Sequence, residues 1–171
     1  MAVNDILFII LIIIAFVWDV KYEKLPNWLT ATGMMVGMVY HLIRGGVDGF
    51  LFACLGLLVA GGIFMLLYLF KALGAGDVKL FAAIGAIMGI EFSLYVMMYS
   101  VIYAGLIGLV ILLFSKTFLR RILTGLFQIW QSIKQRSARD LEEFKQKYST
   151  RFPFMYAVLP GVLTTYYFFL G

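Results

Sequence analysis

Cysteine and charge are scarce in this chain: among 171 residues there is one cysteine, Cys54, and only 13% are charged. A lone thiol excludes a disulfide within the chain and any CxxC metal site. Ordinary soluble domains are about 25% charged, so the deficit excludes that class. A base is also missing from Met1-Ala2-Val3-Asn4-Asp5. A cleaved secretory signal carries a positive segment ahead of its apolar run, so the first helix is expected to stay in the mature protein.

Apolar residues take the place of the missing charge. They make up 63% of the chain, against about 45–50% in soluble domains, and 16 Phe and 10 Tyr suit a lipid-facing bundle with aromatics at its interfaces. The expected fold is all-α, a polytopic membrane protein of about six transmembrane helices forming a single domain over 1–171. The expected spans are Asn4–Trp18, Trp28–Ile43, Gly49–Leu69, Leu80–Gly89, Phe92–Phe114 and Phe154–Leu170. A crossing takes about 20 residues, so the first and fourth must borrow flanking residues.

Basic residues set an orientation. With the N-terminus outside, every one of the 14 except Arg44 falls in a cytoplasmic loop, as the positive-inside rule expects for six crossings with both termini outside. The net charge of +5 is then an orientation signal and a contact for anionic membrane lipid, and no nucleic acid partner is expected. Residues 115–151 are polar and basic, yet Phe118, Ile122, Phe127, Ile129, Trp130, Ile133, Leu141 and Phe144 recur within them. Several stand three or four apart, which predicts a cytoplasmic amphipathic helical segment lying on the leaflet between helices five and six.

Two carboxylates stand at membrane boundaries. Asp19 ends the first apolar run, and Asp77 follows Gly74-Ala75-Gly76 on what reads as a glycine-flanked turn between two apolar stretches. By the orientation above both approach the bilayer from the cytoplasmic side. Ionisable groups at such places are expensive and commonly functional. Carboxylates held close together cannot both ionise, so the pair shares a proton; the charged member can activate water while the protonated one polarises a scissile carbonyl. Hydrolysis of this kind needs neither metal nor cofactor. Gly74 and Gly76 are expected to permit positive φ and close approach of a substrate backbone, and Pro26 to shape the entry into helix two.

The run Asp19-Val-Lys-Tyr-Glu-Lys24-Leu25-Pro26-Asn27 resembles the D-x4-[RK]-x-[IL]-P-N motif of type IV prepilin peptidases, and Gly74-Ala-Gly-Asp77-Val-Lys79 resembles their GxGDxK motif. The likeness extends over nearly the whole chain, Pro153-Phe154 and Pro160-Gly161 included. It implies a membrane aspartyl endopeptidase with Asp19 and Asp77 as catalytic dyad, and Gly74, Gly76, Lys24, Lys79, Pro26 and Asn27 on the substrate side. It also implies the partner: a prepilin or secretion pseudopilin, whose basic leader is cut after a glycine at the cytoplasmic face of the inner membrane. Bifunctional members carry paired CxxC motifs and also methylate the product. With only Cys54, this chain resembles the short, peptidase-only form found with tight-adherence pili and some archaeal-type filaments.

Rival readings use the same aspartates. A small transporter or proton- and cation-handling protein would place them deep in the bilayer and carry a repeat, and no convincing repeat is seen. A presenilin-type GxGD protease would pair YD with GxGD, and a non-catalytic scaffold would not need both aspartates. Lys24 and Lys79 are open between holding leaflet phosphate and tuning the dyad. His41 reads as an outer-interface residue and Glu91 as the outer end of helix four. Gly33 and Gly37 have GxxxG spacing, which suits close helix packing and allows a homodimer without requiring one.

Overall fold

A computed structural model describes residues 3–22, 24–70, 73–114 and 154–170. The described residues form helices α1 (Val3–Tyr22), α2 (Asn27–Leu69), α3 (Ala75–Met88), α4 (Ile90–Phe114) and α5 (Met155–Leu170), with no strand among them. The amphipathic segment expected at 115–151 lies outside the described residues. Residues 1–104 with 153–171 make one compact unit. Residues 105–152 make a second, of which the C-terminal part of α4 is described.

Among the described residues three helices are long and apolar enough to cross a membrane, Val3–Tyr22, Asn27–Leu69 and Ile90–Ile111. α1 shows why its sequence makes a lipid-facing helix. Val3, Ile6, Ile10, Ile13, Val17 and Val20 recur every three or four residues and are exposed. Phe8, Leu11, Ile12, Ala15 and Asp19 form the opposite, buried face. Asp19 thus continues an apolar core face by one turn.

α2 has 43 residues, about 65 Å at about 1.5 Å per residue and roughly twice a bilayer core. It does not run straight. Gly46, at φ +58° and ψ −139°, breaks it into two limbs, and a Cβ on Gly49 would fall on the His41 carbonyl. The spans expected at Trp28–Ile43 and Gly49–Leu69 fall on these limbs.

α3 packs between the limbs. Its residues Leu80 to Ile87 are all buried, the signature of a helix surrounded by protein on every side. Along the first limb, Lys79 meets Asn27, Gly33 lies against Ala83, Gly37 against Ala86, and His41 against Ile87. Both sequences ascend together, so that limb runs parallel to α3. Along the second limb, Phe52 meets Gly89, Gly56 meets Gly85, Gly61 meets Ala82 and Phe64 meets Phe81. Here the numbers run oppositely, so the second limb is antiparallel to α3. Gly56 and Gly85 are in mutual contact, since a Cβ on either would collide with the other's carbonyl oxygen. Without a hydrophobic drive between helices in lipid, such backbone proximity supplies the van der Waals contact that holds them.

α3 ends at Gly89, whose φ of +82° favours glycine. His41 Nε2 donates to the Ile87 carbonyl at 2.9 Å, satisfying one of the orphan acceptors of that terminus. His41, expected at an outer interface, thus also caps the end of α3. Glu91 stands in the first turn of α4, because the chain breaks two residues earlier, at Gly89. α5 carries Pro160 within it, and Gly161 lets α5 approach Ser100 of α4 closely.

Candidate active site

One end of this bundle gathers the chemistry. The parallel and antiparallel orders above bring the C-terminus of α1, the start of α2, the end of its second limb and the start of α3 to the same level. Trp18, Tyr22 and Trp28 cluster there with ring centroids 5.3 and 5.7 Å apart, an amphipathic aromatic group of the kind found at membrane interfaces. Asp19 and Asp77 share that level, although 57 residues and the whole of α2 lie between them.

Asp77 is not on a turn, as the sequence suggested; it stands in the first turn of α3. Gly74 is the N-cap, at φ −83° and ψ 154°, and its N–H donates to Asp77 Oδ2 at 3.0 Å. This is the reciprocal half of a capping box, in which the third helical residue reaches back to the cap. Among the described residues the glycines with positive φ are Gly46 and Gly89, so the expectation of positive φ at Gly74 and Gly76 is corrected. What these glycines supply is room. A Cβ on Gly74 would stand 3.2 Å from Asp77 Oδ2, and one on Gly76 would stand 3.2 Å from the Leu25 Cβ.

Asp77 lies ahead of the apolar run that begins at Leu80 and outside the three membrane-length helices. Its carboxyl is pushed up from 3.8 to about 6. Burial is the largest cause; the Gly74 amide pulls the other way, and the charge of Asp19 adds to the rise. The last contribution agrees with the placement of both carboxylates at one end of the bundle.

Asp19 is buried and accepts a hydrogen bond from a distant partner. The backbone N–H of Met155, the first residue of α5, donates to Asp19 Oδ2 at 3.3 Å. The first N–H groups of a helix have no partner within it, and they carry the positive end of the helix dipole. Beside this amide, Phe154 packs against Phe64 and Phe81, centroid distances 6.2 and 6.3 Å. Phe64 and Phe81 are themselves stacked at 3.8 Å, and Phe81 is one turn beyond Asp77 on α3.

The remaining expected site residues separate into two groups. Lys79 Nζ donates to Asn27 Oδ1 at 2.8 Å, and Leu25 lies against Gly76, so the Leu25-Pro26-Asn27 segment is held against the first turn of α3. Lys24 is exposed in the connection between α1 and α2. Sequence reasoning missed Met155 as a neighbour of Asp19 and Phe154 as a neighbour of the helix that carries Asp77. A backbone amide carries no sequence signal, but the i, i+4 step from buried Ala15 to Asp19 was a readable sign that this carboxylate faces protein.

A sequence model of the type IV leader peptidase family matches residues 6–113. A prepilin leader peptidase/N-methyltransferase of Vibrio cholerae serotype O1 is 33% identical over an alignment of 99 residues, and the match covers 52% of this chain and 38% of that protein. The chain thus matches well under half the length of that relative. No solved structure matches the chain.

Proposed function

Since the chain belongs to the type IV leader peptidase family, we propose that it is a membrane aspartyl endopeptidase that removes the basic leader of prepilin-like proteins. Asp19 and Asp77 are the catalytic pair. The observation that carries this reading is that α1 and α3 bring the two motif aspartates to one end of the bundle, at the level of the Trp18–Trp28 pair and the Lys79–Asn27 hydrogen bond. One carboxylate takes a proton from water while the other, protonated, polarises the scissile carbonyl. The raised pKa of Asp77 supports a pair that can hold one proton between its members.

Gly74 leaves space for the substrate backbone beside Asp77, while Gly76 lets Leu25 close against the first turn of α3 and so shapes the substrate side of the site. Lys79 and Asn27 act together as part of the wall, and Lys24, exposed, is available to substrate or to leaflet phosphate. The basic residues of the loops support an orientation with six crossings in the inner membrane, the start of α1 and the end of α5 outside, and the dyad at the cytoplasmic face. The substrate is then a prepilin or pseudopilin whose leader lies on that face. The single Cys54 supports leader cleavage without the CxxC-dependent methylating region within these 171 residues.

The test is co-expression with a prepilin-type protein, followed by gel shift and N-terminal mass. Cleavage after the leader glycine is expected with wild type and abolished in Asp19→Asn and Asp77→Asn, both still membrane-inserted. Chelators are expected to leave wild-type cleavage unchanged. Persistent cleavage by either asparagine variant overturns the dyad.

A further inference from the structure

The start of α5 touches both Asp19 and, through Phe81, the helix that carries Asp77. Met155 is wholly buried and Phe154 is nearly so. The Phe154 carbonyl accepts from the Ala157 and Val158 N–H groups at 2.9 and 3.2 Å, which makes Phe154 the N-cap and fixes the direction in which the next amide points. That amide, of Met155, reaches Asp19. The ring of Phe154 rests on the Phe64–Phe81 stack, and all three rings are buried. Asp19 therefore connects through one hydrogen bond and one aromatic cluster to α3, one turn from Asp77.

The same device serves both carboxylates. Asp77 Oδ2 is held by the Gly74 amide at the start of α3 and Asp19 Oδ2 by the Met155 amide at the start of α5. A backbone N–H that donates to a carboxylate helps to orient it, so where α5 begins contributes to the mutual geometry of the pair. Catalytic groups displaced by about 1 Å can lose about 100-fold in rate.

We propose that Phe154 and Met155 form the positioning element of the dyad: the Met155 amide orients Asp19, and the Phe154 ring locks that amide to the helix that bears Asp77. This rests on the aspartyl peptidase reading above. Neither residue touches the reacting atoms; both act through the carboxylates.

Proline separates the amide from the side chain. It lacks the N–H and is favoured at the first position of a helix, so Met155→Pro deletes the donor where the helix tolerates the change. Met155→Ala removes more of the buried side chain but keeps the donor. In the full chain reconstituted in lipid with a prepilin-type substrate, Met155→Pro is expected to lower kcat by about 10- to 100-fold with KM within about twofold. Met155→Ala is expected to stay within about threefold of wild type, the cavity affecting stability more than orientation. Phe154→Ala is expected to lower kcat as the proline does, and Phe154→Leu to restore much of it.

Equal kcat for Met155→Pro and Met155→Ala, with Asp19→Asn and Asp77→Asn inactive, overturns the positioning role and leaves the dyad standing. Cleavage by either asparagine variant removes the dyad and this inference with it. Should Met155→Pro not insert, Phe154→Ala against Phe154→Leu decides: a loss carried by KM, or no rescue by leucine, overturns the proposal.

Discussion

Lys79 Nζ donates to Asn27 Oδ1 across 2.8 Å, so the basic residue two positions beyond Asp77 is joined to the first residue of α2. Sequence left Lys79 open between lipid phosphate and the two aspartates; in the structure the side chain bridges the two motif segments. The bridge ties α3 to the connection that leaves Asp19, and so bears on the placement of the two aspartates.

Removing either end tests the bridge. Lys79→Met and Asn27→Ala are each expected to reduce kcat/KM by about 3- to 10-fold, and the double variant to be little worse than the poorer single one, because residues in contact do not add. Fully additive losses would assign the two side chains separate roles.

The Asp77 carboxyl, raised from 3.8 to about 6 in the folded protein, gives a pH dependence with a definite sign. Between about 4 and 6 the folded state binds more protons than the unfolded state, so stability falls as pH rises through that window and levels off above it. Denaturation in detergent from pH 4 to pH 8 is expected to show this decline in wild type. Asp77→Asn should lack this contribution and be the more stable protein at neutral pH, while inactive.

Gly74 has an extended backbone at φ −83°, which alanine adopts freely, so Gly74→Ala should fold without strain. Its new Cβ would stand 3.2 Å from Asp77 Oδ2 and displace the carboxylate. We expect kcat to fall by about 10-fold or more, with a stability loss of only about 1 kcal/mol or less from alanine at an N-cap. A matching loss of thermal stability would place the effect in the fold and not in the carboxylate.

Gly56 and Gly85 should tolerate nothing larger, since a Cβ on either meets backbone that cannot rotate away. Gly56→Ala and Gly85→Ala are expected to cost about 1–3 kcal/mol or more and to lower the yield of folded protein. Gly62, on the same limb of α2, has nothing within 4 Å of a Cβ, and Gly62→Ala should change stability by no more than about 0.5 kcal/mol. Equal losses at all three positions would refute the packing of α2 on α3.

Composition and order along the chain by themselves determined the membrane class, the all-helical fold, the helical stretches and the two aspartate motifs. Those are local properties: apolar runs must pair their own backbone groups in lipid and so become helices, and a motif is read residue by residue. Tertiary structure decided what those residues do to one another. It put Asp77 inside the first turn of α3, gave the glycines of GxGD room instead of positive φ, and gave His41 a carbonyl to cap. It also brought an amide 136 residues away onto Asp19. Every non-proline residue carries the same backbone N–H, so no sequence pattern marks the one that packing delivers to a carboxylate.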